Sequence, residues 1–255
     1  MKRWWDLLRV LTERMLKARY RGSILGIYWS LLNPVLMTTV YTAVFGYNYR
    51  AYYGGSILRY ALTVFVGLAI IQFFGGSTTQ ALPSVVVNSG LLNKIRLPME
   101  IFPTSTVAAH AVQLSVGVLP ILIVMTLVET HDVLRVLLLP FPLIGLILLS
   151  AGVSYLMSTI YVYFRDIPHI YELITFLAWV TLPVFYPIAI VPERVRHILY
   201  FNPLFPTVES LKDLALGTGW PDFVLIAASL ATGLVALGLG LLVFQWRRRE
   251  FMDLI

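Results

Sequence analysis

Apolar residues are arranged in two ways along this chain. From position 2 to 19 they recur with helical period; from Leu31 onward they come in long runs. At about 100° per residue, Trp4, Trp5, Leu8, Leu11, Met15 and Leu16 share one face of the first segment. Lys2, Arg3, Asp6, Arg9, Glu13, Arg14 and Lys17 share the other, with Val10 and Arg19 as misfits. This pattern predicts an amphipathic helix in the headgroup plane, tryptophans inward and cations toward anionic lipid. A secretory signal would need an unbroken apolar stretch before a small-residue cleavage site, and this segment has none.

A helix needs about 20 apolar residues to cross the hydrocarbon core. Six stretches qualify: Leu31–Tyr47, Tyr60–Gln80, Ile101–Val128, Val133–Tyr163, Tyr171–Val191 and Phe223–Trp246. The third and fourth are long enough to tilt. Thirteen of the nineteen Lys and Arg then fall on one side, which holds both termini, the segment 81–100 and the turn at Phe164. The positive-inside rule makes that side cytoplasmic, with Arg247, Arg248 and Arg249 as the final anchor.

The pattern therefore predicts an all-α membrane protein with six transmembrane helices in a single domain, residues 1–255. It divides into an interface helix (1–22), a six-span region (31–246) and a cytoplasmic tail (247–255). Composition agrees: 58% of residues are hydrophobic and 13% charged, against about 25% charged in soluble domains. The net charge of +6 suits anionic lipid and does not call for nucleic acid. With no cysteine, disulfides and thiolate chemistry are excluded.

Two connections are more than turns. Residues 81–100 carry Lys94 and Arg96 between Pro83 and Pro98. Residues 191–222, on the external side, read as two short helices, Glu193–Tyr200 and Pro206–Leu216, parted by Asn202-Pro203. Pro192 and Pro206 suit helix starts and Gly217 a stop. Val195, Ile198, Leu199, Leu204 and Phe205 suggest that this pair re-enters the membrane surface as a lid over a pore.

Ion-coupled transport needs ionisable groups at membrane depth. His110 is the one candidate inside a span, and its alanine neighbours favour an interhelical hydrogen bond over a proton relay or a substrate contact. The chain has no phosphate-cradling G-x-x-x-x-G-K-[ST] loop, no H-E-x-x-H and no G-x-S-x-G. Neither a catalytic nor a metal site is expected, and any ATPase belongs to another chain. Aromatic residues are abundant instead. Tyr41, Phe45, Phe176, Trp179, Phe185 and Tyr186 lie within the first and fifth spans. They are either packing residues or the wall of a conduit that stacks on sugar rings.

The run Arg19-Tyr20-Arg21-Gly22-Ser23 through Trp29-Ser30-Leu31-Leu32-Asn33-Pro34 resembles the opening signature of ABC-2 type permeases that export polysaccharides. Asn88-Ser89-Gly90-Leu91-Leu92-Asn93-Lys94-Ile95-Arg96-Leu97-Pro98, Tyr163-Phe164-Arg165-Asp166-Ile167 and Leu182-Pro183-Val184-Phe185-Tyr186-Pro187 with Asn202-Pro203-Leu204-Phe205-Pro206 match the same pattern in order. The resemblance implies a homodimeric permease of the bacterial inner membrane with two nucleotide-binding subunits that carry ATP and Mg. Its cargo would be an undecaprenyl-type lipid-linked glycan: O-antigen first, teichoic acid or capsule next. It implies a cytoplasmic coupling helix with contacts to the ATPase from Asn88, Leu91, Leu92, Lys94, Arg96, Arg165 and Asp166. The first and fifth spans would line the channel, and Pro192, Asn202, Pro203, Pro206 and Glu209 would form the external gate.

Plainer roles stand beside these. Lys94 and Arg96 also serve as positive-inside anchors, and Arg165-Asp166 as a local ion pair and helix cap. Competing functions are a small-molecule ABC-2 exporter, a passive channel, or a membrane enzyme on lipid-linked sugars. The enzyme would draw on Glu129, His131 and Asp132, which read better as a polar turn.

Overall fold

The computed structural model describes residues 2–92 and 97–251, and every described element is helical. The coupling candidates Lys94 and Arg96 lie outside the described residues. Helix α1 (Lys2–Arg19) precedes α2 (Trp29–Tyr49) and α3 (Ile57–Ala81). Two single-turn helices follow, α4 (Ser84–Val87) and α5 (Ser89–Leu92). Helix α6 (Ile101–Gln113) runs through a π-helical turn at Leu114–Val118 into α7 (Leu119–Thr130). Next come α8 (Val133–Leu138), α9 (Pro140–Tyr163), α10 (Ile167–Val180), α11 (Glu193–Tyr200), α12 (Phe205–Leu216) and α13 (Phe223–Arg247).

Helix starts follow local chemistry. The side chains of Ser56, Asp132 and Asp222 each accept a backbone N–H at the first turn of α3, α8 and α13, as N-caps do. Between α1 and α2 the chain reverses through Gly22 (φ 77°) and Gly26 (φ 52°), a backbone region only glycine enters freely.

Among the described residues, four helical segments are long and apolar enough to cross a membrane: Ile57–Ala81, Ile101–Thr130, Val133–Tyr163 and Phe223–Arg247. Each covers an expected span. Helix α2 has 21 residues, enough length, but carries Asn33, Thr38, Thr39, Thr42 and Asn48. The fifth stretch differs from expectation. Instead of one helix over Tyr171–Val191, α10 ends at Val180 after 14 residues, about 21 Å at 1.5 Å per residue. Pro183 and Pro187 explain the break, since each lacks an N–H and disfavours helix in the residue before it.

Helices α9 and α13 pack along their whole lengths. Gly145 faces Gly233 and Gly152 faces Gly240, so the backbones touch; a Cβ at any of the four would overlap the opposing main chain. Small residues at this spacing are how apolar helices approach where lipid removes the hydrophobic drive. Around this pair the main core gathers α3, α7 and α12, whose Val208, Leu211, Leu214 and Ala215 are fully buried. Helix α12 thus goes beyond dipping into a surface: it is a core element. Helix α11 stays peripheral, with only Leu199 buried.

A second cluster closes the opposite end of the bundle. Val85, Leu92, Ile101, Phe102, Tyr155, Val162, Phe244 and Phe251 are buried there, with Trp4, Leu7, Leu8, Leu11 and Leu91 packed on them. The apolar face of α1 therefore lies against the protein's own α6, while Trp5 and Val10 point outward. Arg248 pairs with Glu100 at 2.5 Å, and the Tyr163 hydroxyl donates to Glu250 at 2.5 Å, drawing the tail under the bundle.

Candidate functional site

The broken fifth segment is the most unusual part of the fold. Non-helical backbone at membrane depth persists only where other groups satisfy it. Here the carbonyls of Ala178, Pro183 and Phe185 are met by side chains from other elements. Asn202 Nδ2 donates to the Ala178 carbonyl at 2.8 Å and to Thr181 Oγ1 at 2.9 Å. Lys212 Nζ donates to the Pro183 carbonyl at 2.5 Å, and the Tyr60 hydroxyl donates to that of Phe185 at 2.9 Å. Val184 is fully buried against Gly67 of α3, where a Cβ would sit 2.6 Å from the Val184 methyl. Gly67 is required for that close approach.

Asn202 has a second task. Its Oδ1 accepts the Leu204 N–H at 3.0 Å, which fixes the turn that launches α12. Pro206 sits in the first turn of α12, and Pro192 immediately precedes α11. Pro203 lies exposed in the turn between them. Glu209 pairs with Lys212 at 2.9 Å, so the cation that holds Pro183 is itself held by a carboxylate. The five gate candidates therefore fall in one connected structure with the broken segment.

Five of the six aromatic candidates form a chain of rings across α10, the segment after it and α2. Phe176 and Trp179 lie 5.8 Å apart, Trp179 and Phe185 5.4 Å, and Phe185 stacks on Tyr41 at 3.9 Å. From Tyr41 the series continues to Phe45 at 6.3 Å and Tyr49 at 6.1 Å, then to Tyr60 and Tyr53. Tyr186 stands apart from the ring chain and donates its hydroxyl to the Val180 carbonyl at 3.2 Å. Sequence reasoning missed Tyr49, Tyr53 and Tyr60, although Tyr41, Phe45 and Tyr49 recur every four residues on one helix face. Most of the rings are half-buried: Tyr41, Phe45, Tyr49, Tyr53 and Phe185 pack on the main core, which contains Tyr60, and Phe176 is exposed.

Tyr52, Tyr53, Arg59, Tyr186, Glu209 and Lys212 border a cavity of about 600 Å³ at this end of the bundle. Burial, and then the Glu209 carboxylate, pushes the Tyr53 phenol up to about 12, so it remains a hydrogen-bond donor. Nearby, Arg135 is 2% exposed and donates to the carbonyls of Asp213, Leu214 and Gly219, closing the C-terminus of α12. Glu129, His131 and Asp132 hold structural positions. Glu129 pairs with Arg59 at 2.8 Å, His131 closes α7 in the left-handed region, and Asp132 caps α8.

At the other end, Asn88 Nδ2 donates to the Ser84 carbonyl at 2.7 Å, locking α4 onto α5. Leu91 is half-buried and Leu92 is buried in the chain's own second cluster, leaving Val87 and Gly90 as the exposed positions of this element. Arg165 and Asp166 are exposed. The Arg165 guanidinium lies over the Tyr161 ring at 5.2 Å, and the Asp166 side chain makes no capping bond to α10. The expected ion pair and side-chain cap do not form. The misfit Arg19 and His110 turn out to be partners: the guanidinium bonds His110 Nε2 at 3.1 Å and Gln113 Oε1 at 2.8 Å, joining α1 to α6.

Several long apolar helices, a proline-broken segment held by side chains, and an amphipathic helix packed at one end define a multi-pass membrane protein. Residues 6–216 match the ABC-2 type transporter family, and the chain belongs to it. It is 31% identical over 258 residues to the O-antigen export system permease protein RfbA of Myxococcus xanthus, covering 98% of this chain and 95% of that protein. A protein of the same name from Klebsiella pneumoniae is 29% identical over 253 residues, with the same coverage. The polysialic acid transport protein KpsM of Escherichia coli is 22% identical over 256 residues, covering 96% and 95%.

Proposed function

We propose that this chain is the permease subunit of an ATP-driven exporter that moves a lipid-linked polysaccharide, O-antigen foremost, out across the bacterial inner membrane. The observation that carries this reading is the continuous ladder of rings from Phe176 through Phe185 and Tyr41 to Tyr53. Aromatic faces stack on the C–H faces of sugars, and phenolic tips add hydrogen bonds. Successive rings at short intervals give a polymer weak, repeated footholds. A small hydrophobic cargo would meet only one or two of these rings at a time. Support also comes from the family and from relatives named for O-antigen and polysialic acid export.

In this reading α2 and the broken segment after α10 complete six crossings, with both termini cytoplasmic. Val40 and Val44 on α2 and Leu173 and Leu177 on α10 are exposed apolar residues; they meet lipid and a second copy of the chain, so that a homodimer encloses the path. The segment 88–96 couples to two ATPase subunits, which bind ATP and magnesium. Helices α11 and α12 gate the outer end.

The test is to delete the gene, together with co-purification of the tagged chain from native membranes. An ATPase subunit should co-purify, and surface polymer should disappear while undecaprenyl-linked glycan accumulates inside. Normal surface polymer in the deletion strain would refute the proposal.

A further inference from the structure

A cavity of about 440 Å³ opens where the end of α1, the start of α2, the middle of α3 and the end of α6 meet. Its polar lining comprises Arg19, Ser30, Asn33, Gln72, His110 and Gln113, and no carboxylate borders it. Ile71, Phe73 and Val118 supply apolar wall.

The hydrogen bonding fixes the electrostatic sign of this cavity. Arginine has donors only. Arg19 donates to Gln113 Oε1 at 2.8 Å, to His110 Nε2 at 3.1 Å and 3.2 Å, and to Gln80 Oε1. His110 Nε2 must accept, so Nδ1 carries the ring proton and donates it to the Thr106 carbonyl at 3.0 Å. Every partner of the guanidinium is thus neutral, and Arg19 makes no ion pair among the described residues.

A second observation is independent of that charge. Because Gln113 turns its oxygen to Arg19, its amide nitrogen faces away, and this buried donor has no partner among the described residues. Gln113 is 6% exposed. Immediately beyond it the helix widens into the π-turn Leu114–Val118, a local distortion that recurs at functional sites. Gly117 in that turn admits the Ser30 hydroxyl at the mouth of the cavity.

An uncompensated cation, an unused buried donor and the side-chain amides of Asn33 and Gln72 all call for an anionic oxygen acceptor. The apolar wall calls for something that is not anion alone. We propose that this cavity holds the phosphate headgroup of an amphiphile, with Arg19 supplying charge and Gln113 Nε2 a hydrogen bond. His110 lies nine residues into the long helix that starts at Ile101, about 14 Å from its start, the depth of a lipid headgroup and its first carbons. That the amphiphile is the isoprenoid-linked cargo rests on the export function proposed above; the phosphate site itself does not.

Gln113→Glu is the discriminating substitution. It keeps an oxygen for Arg19, so the clamp between α1 and α6 survives, yet it places a carboxylate where the anion should sit. The permease, with its ATPase, would be placed in phosphatidylcholine nanodiscs and titrated with a polyprenyl diphosphate, phosphatidylglycerol and inorganic pyrophosphate. We expect wild-type melting temperature and at least about tenfold weaker polyprenyl diphosphate binding, equivalent to about 1.4 kcal/mol. Gln72→Leu, remote from the clamp, should weaken binding in the same direction. Unchanged affinity in both variants would overturn the site. Competition by phosphatidylglycerol at equal concentration assigns the pocket to bulk lipid, and indifference to it assigns the pocket to the cargo. A wild type that binds the diphosphate but exports no glycan refutes the export function and leaves the site standing.

Discussion

Asn202→Asp isolates what holds the broken fifth segment. The substitution keeps Oδ1 for the Leu204 N–H but replaces the amide donor that serves Ala178 and Thr181. Each lost hydrogen bond is worth about 1 kcal/mol net, and a buried carbonyl left without its donor costs about 1–3 kcal/mol. Asn202 is 7% exposed, so solvent offers little relief. The sum is about 2–4 kcal/mol, which for a chain of this length lowers the melting temperature by at least about 4 °C. Thr181→Val provides the control. It removes the hydroxyl that accepts from Asn202 and donates to the Leu177 and Ala178 carbonyls, and it leaves the bond from Asn202 to Ala178, so it should cost about 1 kcal/mol. The measurement is thermal unfolding in detergent followed by tryptophan fluorescence, with Trp179 close by as reporter, alongside surface polymer in complemented cells. If Asn202→Asp melts within 1 °C of wild type and exports normally, Asn202 does not hold the segment, and the side-chain support argument fails.

Gly240→Val should abolish folded protein, because its Cβ would overlap the Gly152 backbone; recovery of wild-type yield from membranes would contradict the glycine seam. Leu92→Asp should lower yield before it alters coupling, since Leu92 is buried in the second cluster, whereas Arg96→Glu should leave yield intact and reduce ATP-driven export. Comparing folded yield with export for the pair separates the two outcomes. The Glu250 carboxyl is held below its ordinary range, first by the Tyr163 hydroxyl and then by Arg247. Its stabilisation of the tail is therefore complete at neutral pH and lost as pH falls through that depressed value. Limited proteolysis by an acid protease should cut the tail readily only in acid below the usual carboxylate range; equal cutting at all pH values would contradict the contact.

Hydropathy alone located the long helices within a few residues, because sustained apolar runs leave no other stable arrangement in lipid. Local turn chemistry was also readable: helices expected at Glu193–Tyr200 and Pro206–Leu216 form at Glu193–Tyr200 and Phe205–Leu216. The fifth segment misled because averaged hydropathy is blind to backbone donors. Pro183 and Pro187 were the available signal, and they outweighed the apolar run. Arg19 looked out of place on the apolar face of α1 because its partners His110 and Gln113 lie more than ninety residues away. The burial of Leu92 and the stacking of Phe185 on Tyr41 are likewise tertiary facts that no local window contains.

The glycine seam divides the molecule mechanically. At Gly145, Gly152, Gly233 and Gly240 the two backbones meet with no side chain between them, so moving a bulkier neighbour into any of these places would bring a collision. That pair behaves as a fixed post. The segment after α10 is attached differently, through the buried side chains of Leu182 and Val184 and hydrogen bonds from Asn202, Lys212 and Tyr60. Such hydrogen bonds break and reform at about 1 kcal/mol each, within reach of a transport cycle. Motion that opens a path should then be borne by the fifth segment and α2, swinging against a post that stays still.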